Sequence, residues 1–188
     1  MTLVESIPPN YQNPYPHFSL KSTTGDVISS QELLKGNKGM VVLFTCNHCP
    51  YAKALWDRII RDTNKIRTYG FEILAINPNI HPDYPEDSFE KMIELKTKLN
   101  LPFEYLVDED QQVAKQYHAQ CTPDLYVLNN DMTIGYRGAY DDDWKNETAV
   151  QQTFLLDALH QLNQDNNNMV PVVKPSMGCS IKWLNDNF

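Results

Sequence analysis

The sequence predicts an α/β domain built on a central mixed β-sheet flanked by helices. Three observations carry this. Two apolar runs, residues 40–45 and 71–77, have the length of strands and the composition of strands buried on both faces. A long amphipathic stretch lies between them, the order of a crossover that joins parallel strands. Two hairpin-like segments, one near each end of the chain, add antiparallel strands to this unit. A length of 188 residues suits one domain. Residues 1–163 are assigned to it, with an N-terminal arm, and residues 164–188 to a C-terminal tail packing on it.

The elements follow in order. Up to Pro16 the chain is rich in Pro, Asn and Tyr and reads as an irregular arm. Residues 17–21 alternate weakly, Thr24-Gly25-Asp26 is a turn signal, and Val27-Ile28 follow, which predicts a short N-terminal hairpin. Residues 30–36 read as a short helix with Ser29 or Ser30 as cap and Gly36 at its end. After the strand at 40–45, a helix is predicted over 47–69, with Ala52, Leu55, Trp56, Ile59, Ile60 and Ile66 on one broad face. Pro50 then falls in its first turn, where backbone N–H groups lack intrahelical partners. Gly70 ends the helix, and strand 71–77 follows.

Residues 77–87 hold three prolines and form a loop. Residues 88–99 are amphipathic and helical, 103–107 a short strand, and 111–117 a short helix. Runs 125–128 and 132–136 flank Asn129-Asn130-Asp131, a hairpin whose turn residues tolerate positive φ. A final helix is predicted over 147–163, then a flexible polar connector at 164–168 and the tail.

Net charge is −8 and no Lys/Arg cluster stands out, which argues against nucleic acid or an anionic membrane as partner. The first residues lack a basic segment followed by an apolar one, and no apolar run could span a bilayer, so a cytoplasmic location is expected. Four cysteines in this length do not make a secreted disulfide framework.

Two of those cysteines carry the chemistry. Cys46-Asn47-His48-Cys49 places two thiols at C-x-x-C spacing between a strand and a helix. A helix N-terminus and a protonated His48 both favour a thiolate there. On this reading Cys46 is the more exposed thiol and the nucleophile, and Cys49 resolves the mixed disulfide. A zinc site would need a second pair at matching spacing, which Cys121 and Cys179 do not make, so no metal is expected. Cys121-Thr122-Pro123 stands just before a predicted strand, a place where proline signals a special turn. A cis-proline loop there would face the dithiol and offer Thr122 backbone groups to a substrate peptide. Cys179 is either a third redox thiol folded back on the site or a packed small residue.

Around Phe44-Thr45-Cys46-Asn47-His48-Cys49-Pro50-Tyr51 and Cys121-Thr122-Pro123-Asp124 the chain resembles the thioredoxin-like superfamily. It is most similar to the peroxiredoxin-like proteins of the AhpC/TSA or redoxin type. Ile76-Asn77-Pro78-Asn79, Tyr84-Pro85-Glu86-Asp87-Ser88-Phe89 and Gly178-Cys179-Ser180-Ile181-Lys182-Trp183 extend the likeness along the chain. The resemblance implies a thioredoxin-like fold and a redox-active dithiol. It also shows departures when counted from Cys46. Peroxiredoxins carry Thr or Ser three residues before the reactive cysteine and Pro seven before, where this chain has Leu43 and Gly39. Thioredoxins carry a buried Asp six before and Trp just before, here Met40 and Thr45.

The expected function is therefore thiol–disulfide exchange without an external cofactor, acting on protein or small-molecule thiols and disulfides, with thioredoxin or glutathione as possible reductants. A thiol peroxidase, resolved by Cys49, Cys121 or Cys179, is the alternative enzyme. A metal-binding or interaction protein on the same fold is the non-enzymatic one.

Overall fold

A computed structural model describes residues 2–164 and 169–184. Residues 165–168 of the expected flexible connector and 185–188 of the tail lie outside the described residues. The main sheet is built on β4 (Gly39–Phe44), which is buried on both faces. Val41 and Leu43 face one core, while Met40, Val42 and Phe44 face the other. This alternation is why so short a segment can be wholly apolar. β5 (Phe71–Asn77) pairs with β4 in parallel, and β6 (Glu104–Val107) pairs in parallel with β5. β8 (Asp124–Asn129) lies antiparallel on the other side of β4, followed by β9 (Ile134–Arg137). The predicted N-terminal hairpin, β2 (Ser19–Ser22) and β3 (Val27–Ser29), pairs through β2 to β6. The seven-stranded order is β3-β2-β6-β5-β4-β8-β9.

Helices cover both faces. α2 (Pro50–Thr68), α3 (Phe89–Leu99) and α5 (Phe154–Gln164) bury Leu55, Trp56, Ile59, Met92, Leu155 and Leu159 in one core. α1 (Ser30–Leu34) and α4 (Gln112–Gln116) cover the other, joined by Tyr15 and Phe18 of the arm. α1 is capped by Ser29, whose hydroxyl accepts from the Gln31 N–H at 3.3 Å.

Three elements differ from the sequence reading. α2 starts at residue 50, not 47. α5 starts at residue 154, not 147, because residues 150–153 bond across to a neighbouring loop: the Asp142 N–H donates to the Gln152 carbonyl and the Leu155 N–H to that of Tyr140. In the β8–β9 turn the positive φ falls on Met132, at 66°, rather than on the asparagines, with the Met132 N–H closing back on the Asn129 carbonyl at 2.9 Å.

The arm and the tail are also not irregular throughout. β1 (Leu3–Glu5) and β10 (Met177–Ser180) form a second sheet with the short β7 (Cys121–Thr122), in the order β1-β10-β7.

A buried ion pair fixes the join between β7 and β8. Arg137 Nη2 donates to Asp124 Oδ2 at 2.8 Å and to the His118 carbonyl at 3.0 Å, and its guanidinium lies 4.5 Å from the Tyr126 ring centre. Both side chains are at most 1% exposed. Removing one partner would strand the other charge in the core. Asp124→Asn is expected to lower stability in chemical denaturation by about 3–5 kcal/mol. Replacing the pair together by Leu and Met should cost clearly less, and equal losses would refute this account of the pair.

Candidate functional site

The site forms where β4 gives way to α2. Residue 49 is the N-cap of α2, with extended φ −63° and ψ 125°. The cause is Pro50. A residue before proline is driven out of the helical region, and proline suits the first helical position. The helix therefore begins after Cys49, and its positive end faces that thiol rather than Cys46.

Thr122 lies against both cysteines of the box. Cys46 Sγ is 3.2 Å from Thr122 Oγ1, and the Cys49 thiol donates to the Thr122 carbonyl at 3.0 Å. The Thr122–Pro123 peptide is cis, as the sequence reading anticipated. A third thiol joins them: Cys179 Sγ lies 2.9 Å from Cys49 Sγ. Cys46, Cys49, Ala52 and Cys179 make a small buried cluster of their own, flanked by Tyr51. Cys121 is buried on β7 but stands outside this cluster, with its thiol turned to the Pro123 carbonyl at 3.4 Å.

Two expectations are corrected here. Cys46 is not the more exposed thiol; Cys46 and Cys49 are both 0% exposed and Cys179 is 4% exposed. The Thr122 backbone does not present an open edge either, because β10 pairs antiparallel with it, Cys179 opposite Thr122. β10 covers the thiols and occupies the place assigned to a substrate peptide.

Between the two cysteines the loop is clamped by Asp87, a fully buried carboxylate. Its Oδ1 accepts the N–H groups of Asn47 at 2.7 Å and His48 at 3.1 Å, and its Oδ2 bonds His48 Nδ1 at 2.5 Å. The Asn77 side chain holds the Asp87 carbonyl at 3.0 Å, and the Tyr105 hydroxyl donates to Asn47 Oδ1 at 2.9 Å. His48 thus faces Asp87 and stacks on Tyr84, with ring centres 5.2 Å apart. Cys46, His48 and Asp87 bring ligand atoms within 4.8 Å of one another, a set that could hold a metal ion. The sequence reading missed Asp87 as a site residue. Its only signal was the Tyr84-Pro85-Glu86-Asp87 stretch within the family resemblance, since nothing in a proline-rich loop ties it to cysteines so far upstream.

The AhpC/TSA family model matches residues 11–164. The chain belongs to the AhpC/TSA family. An uncharacterized conserved protein from Geobacillus kaustophilus has a similar structure, with 38% identity, 97% of each chain covered and a TM-score of 0.88. A peroxidoxin from Mycobacterium tuberculosis shares the fold at 14% identity, over 80% of this chain and 96% of that one, with a TM-score of 0.63. The thioredoxin domain of a thiol-disulfide oxidoreductase from Bacteroides vulgatus does so at 13% identity, over 87% of this chain and all 100% of its own, with a TM-score of 0.59. The fold is therefore thioredoxin-like. A search of curated protein sequences finds no match. Among the described residues, no helix of this AhpC/TSA protein is long and apolar enough to cross a membrane.

The electrostatics set Cys49 apart from its neighbours. The Cys49 thiol is lowered to about 5. The first cause is a hydrogen bond from Cys46, which outweighs burial; the Cys179 thiol and the N–H groups of Ala52 and Cys179 add to it. No full cap hydrogen bond to the Cys49 side chain forms, so the N–H groups act as oriented dipoles. Cys46 is pushed well up, first by burial, then by its bond to Cys49 and the Asp87 carboxylate. Burial and Cys49 push Cys179 up to about 12. The first proton therefore leaves Cys49, which gives up its bond to the Thr122 carbonyl as it ionises, while Cys46 and Cys179 stay protonated beside it.

The count of family departures shifts accordingly. Taken from Cys49, the position three before, where peroxiredoxins place a hydroxyl, is Cys46 itself. A thiol donor stands where a hydroxyl donor would. Titration of thiolate ultraviolet absorbance should show one cysteine ionising near pH 5. Cys46→Ala should move that step upward, and Cys46→Ser, which keeps a donor, should restore most of it. An unmoved step in Cys46→Ala would remove Cys46 from this role. The sign for stability follows from a value depressed below that of a free thiol: Cys49 stabilises the fold above the ordinary thiol range and loses this as pH falls through about 5.

Proposed function

We propose that this AhpC/TSA protein is a thiol–disulfide oxidoreductase whose attacking group is the Cys49 thiolate within the Cys46/Cys49 dithiol. The observation that carries the reading is a buried thiol at a helix N-cap with a second and a third thiol directly beside it. The Cys49 thiolate attacks one sulfur of a substrate disulfide. A mixed disulfide forms and the other substrate sulfur leaves as thiolate, which takes a proton from solvent. A neighbouring protein thiol then displaces the remaining substrate sulfur from Cys49. Two electrons have passed to the substrate, which ends as two thiols, and the protein holds one disulfide. An external thiol such as glutathione or thioredoxin resets it.

The family and the thioredoxin-like fold support this reading, and the thiol-disulfide oxidoreductase from Bacteroides vulgatus is a fold neighbour with that chemistry in its name. Enclosure of the thiols favours low-molecular-weight disulfides over folded proteins as substrates. The peroxidase reading has its own support. The Cys46 thiol lies in one cluster with Cys49 and has the Thr122 hydroxyl at 3.2 Å, and a small peroxide suits a closed site.

Turnover of oxidised glutathione by excess dithiol reductant tests the assignment. Cys49→Ser should fall to the uncatalysed rate, a loss of about a thousandfold or more for removal of a nucleophile. Cys46→Ser should keep a measurable fraction. Full activity in Cys49→Ser would sink the proposal. Hydrogen peroxide consumed faster than glutathione disulfide under the same reductant would favour the peroxidase.

A further inference from the structure

The C-terminal strand bears on the step left general above, the identity of the thiol that displaces substrate from Cys49. Three features of β10 converge on that step. Its backbone pairs with β7 so that Cys179 lies opposite Thr122 and Ser180 opposite Cys121. This is the pairing that an extended peptide makes when it adds to an exposed strand edge. The residue before Cys179 is Gly178, and a Cβ there would stand 2.1 Å from the Thr122 carbonyl oxygen and 2.6 Å from its carbon. Those are backbone atoms, so only glycine lets the strand come this close. The outcome is a Cys179 Sγ 2.9 Å from Cys49 Sγ, about one ångström from bonding distance.

The strand is also anchored on both sides of the cysteine. Upstream, the Ser176 hydroxyl donates to the Gly138 carbonyl at 2.6 Å, and the Ser176 N–H to Ser6 Oγ at 3.0 Å. Downstream, the Lys182 N–H donates to Asn79 Oδ1 at 3.0 Å, and Gln111 Nε2 to the Lys182 carbonyl at 2.7 Å. β1 closes the outer edge, with Leu3 opposite Cys179 and Val4 opposite Gly178. The placement of Cys179 is therefore built from both ends of the chain.

We propose that β10 is an internal substrate strand and that Cys179 is the thiol that resolves Cys49, so that the protein's oxidised form is a Cys49–Cys179 disulfide. The inference rests on Cys49 being the attacking thiolate. The chemistry balances within that reading. A substrate disulfide leaves one half on Cys49; the Cys179 sulfur attacks Cys49 Sγ, the Cys49–substrate bond breaks, and the departing thiolate takes the Cys179 proton. Two electrons from Cys49 and Cys179 have then reduced the substrate disulfide. Cys46, held at Thr122 Oγ1, remains a thiol.

Peptide mapping of the full chain after treatment with oxidised glutathione tests this. The wild type should yield a Cys49–Cys179 cross-linked peptide, with Cys46 and Cys121 still alkylatable after denaturation. Cys179→Ser should instead accumulate Cys49–glutathione or a Cys46–Cys49 disulfide. Gly178→Val keeps every thiol but pushes β10 from Thr122. It should cut the Cys49–Cys179 product by about a hundredfold, as an intramolecular encounter loses its effective concentration, and raise glutathione on Cys49. A wild type that forms only Cys46–Cys49, with Cys179 alkylatable, overturns the inference and leaves the oxidoreductase reading standing. A wild type in which Cys49 takes up neither glutathione nor any disulfide overturns both.

Discussion

A residue that precedes proline clashes with the ring when it turns helical, and in this chain that residue is Cys49. Pro50 thereby sets the first helical position of α2 and leaves Cys49 as its N-cap. The N–H groups that reach Cys49 from the helix start depend on this placement, beside the larger effect of the Cys46 hydrogen bond. Had the helix begun at Asn47, its unpaired N–H groups would have pointed toward Cys46. Instead they face Cys49, and Cys46 is left beside the Asp87 carboxylate, which opposes its ionisation. Asp87 secures the arrangement by accepting the N–H groups of Asn47 and His48, which holds the loop in a bend ahead of the proline.

The four cysteines then act as an internal comparison. All are buried, and burial alone raises a thiol. Cys46, Cys121 and Cys179 all move upward. Only Cys49 moves down, because it alone collects thiol donors from both sides together with N–H groups from a helix start and from β10. Desolvation is common to the four, so the donor set decides which one is reactive. The same enclosure that keeps the other thiols protonated strengthens each donor acting on Cys49, since dipoles weigh more where water is excluded.

Much of the fold was legible in the sequence because its pattern is strong. The run Phe71–Asn77 matches β5 residue for residue, and the apolar run of β4 and the Thr24-Gly25-Asp26 turn fell where patterning placed them. The start of α2 was equally legible through the pre-proline rule; counting unpaired N–H groups made Pro50 tolerable at several positions and hid the one it prefers. β1, β7 and β10 were beyond local reading. Each is two to four residues long, and their stability comes from pairing between the two ends of the chain and a central loop, which no window of sequence contains. Asp87 was hidden for the same reason. Its role exists only because β5 carries its loop back to the end of β4.

Two thiols around one sulfur impose a counting rule on the site. Cys49 can bond to only one of Cys46 and Cys179 at a time, so any oxidised state leaves the other as a thiol within the same enclosure. Passing the disulfide between the two partners breaks one S–S bond and makes another, with no net change in electrons, and no outside reagent is needed. The partners differ in what holds them. Cys46 stands two residues past the end of β4, a strand of the main sheet buried on both faces. Cys179 rides on a strand tied to the body by hydrogen bonds at its flanks and by a glycine-permitted approach to Thr122. A disulfide to Cys179 therefore staples the covering strand down over the site, whereas one to Cys46 leaves β10 held by non-covalent contacts alone.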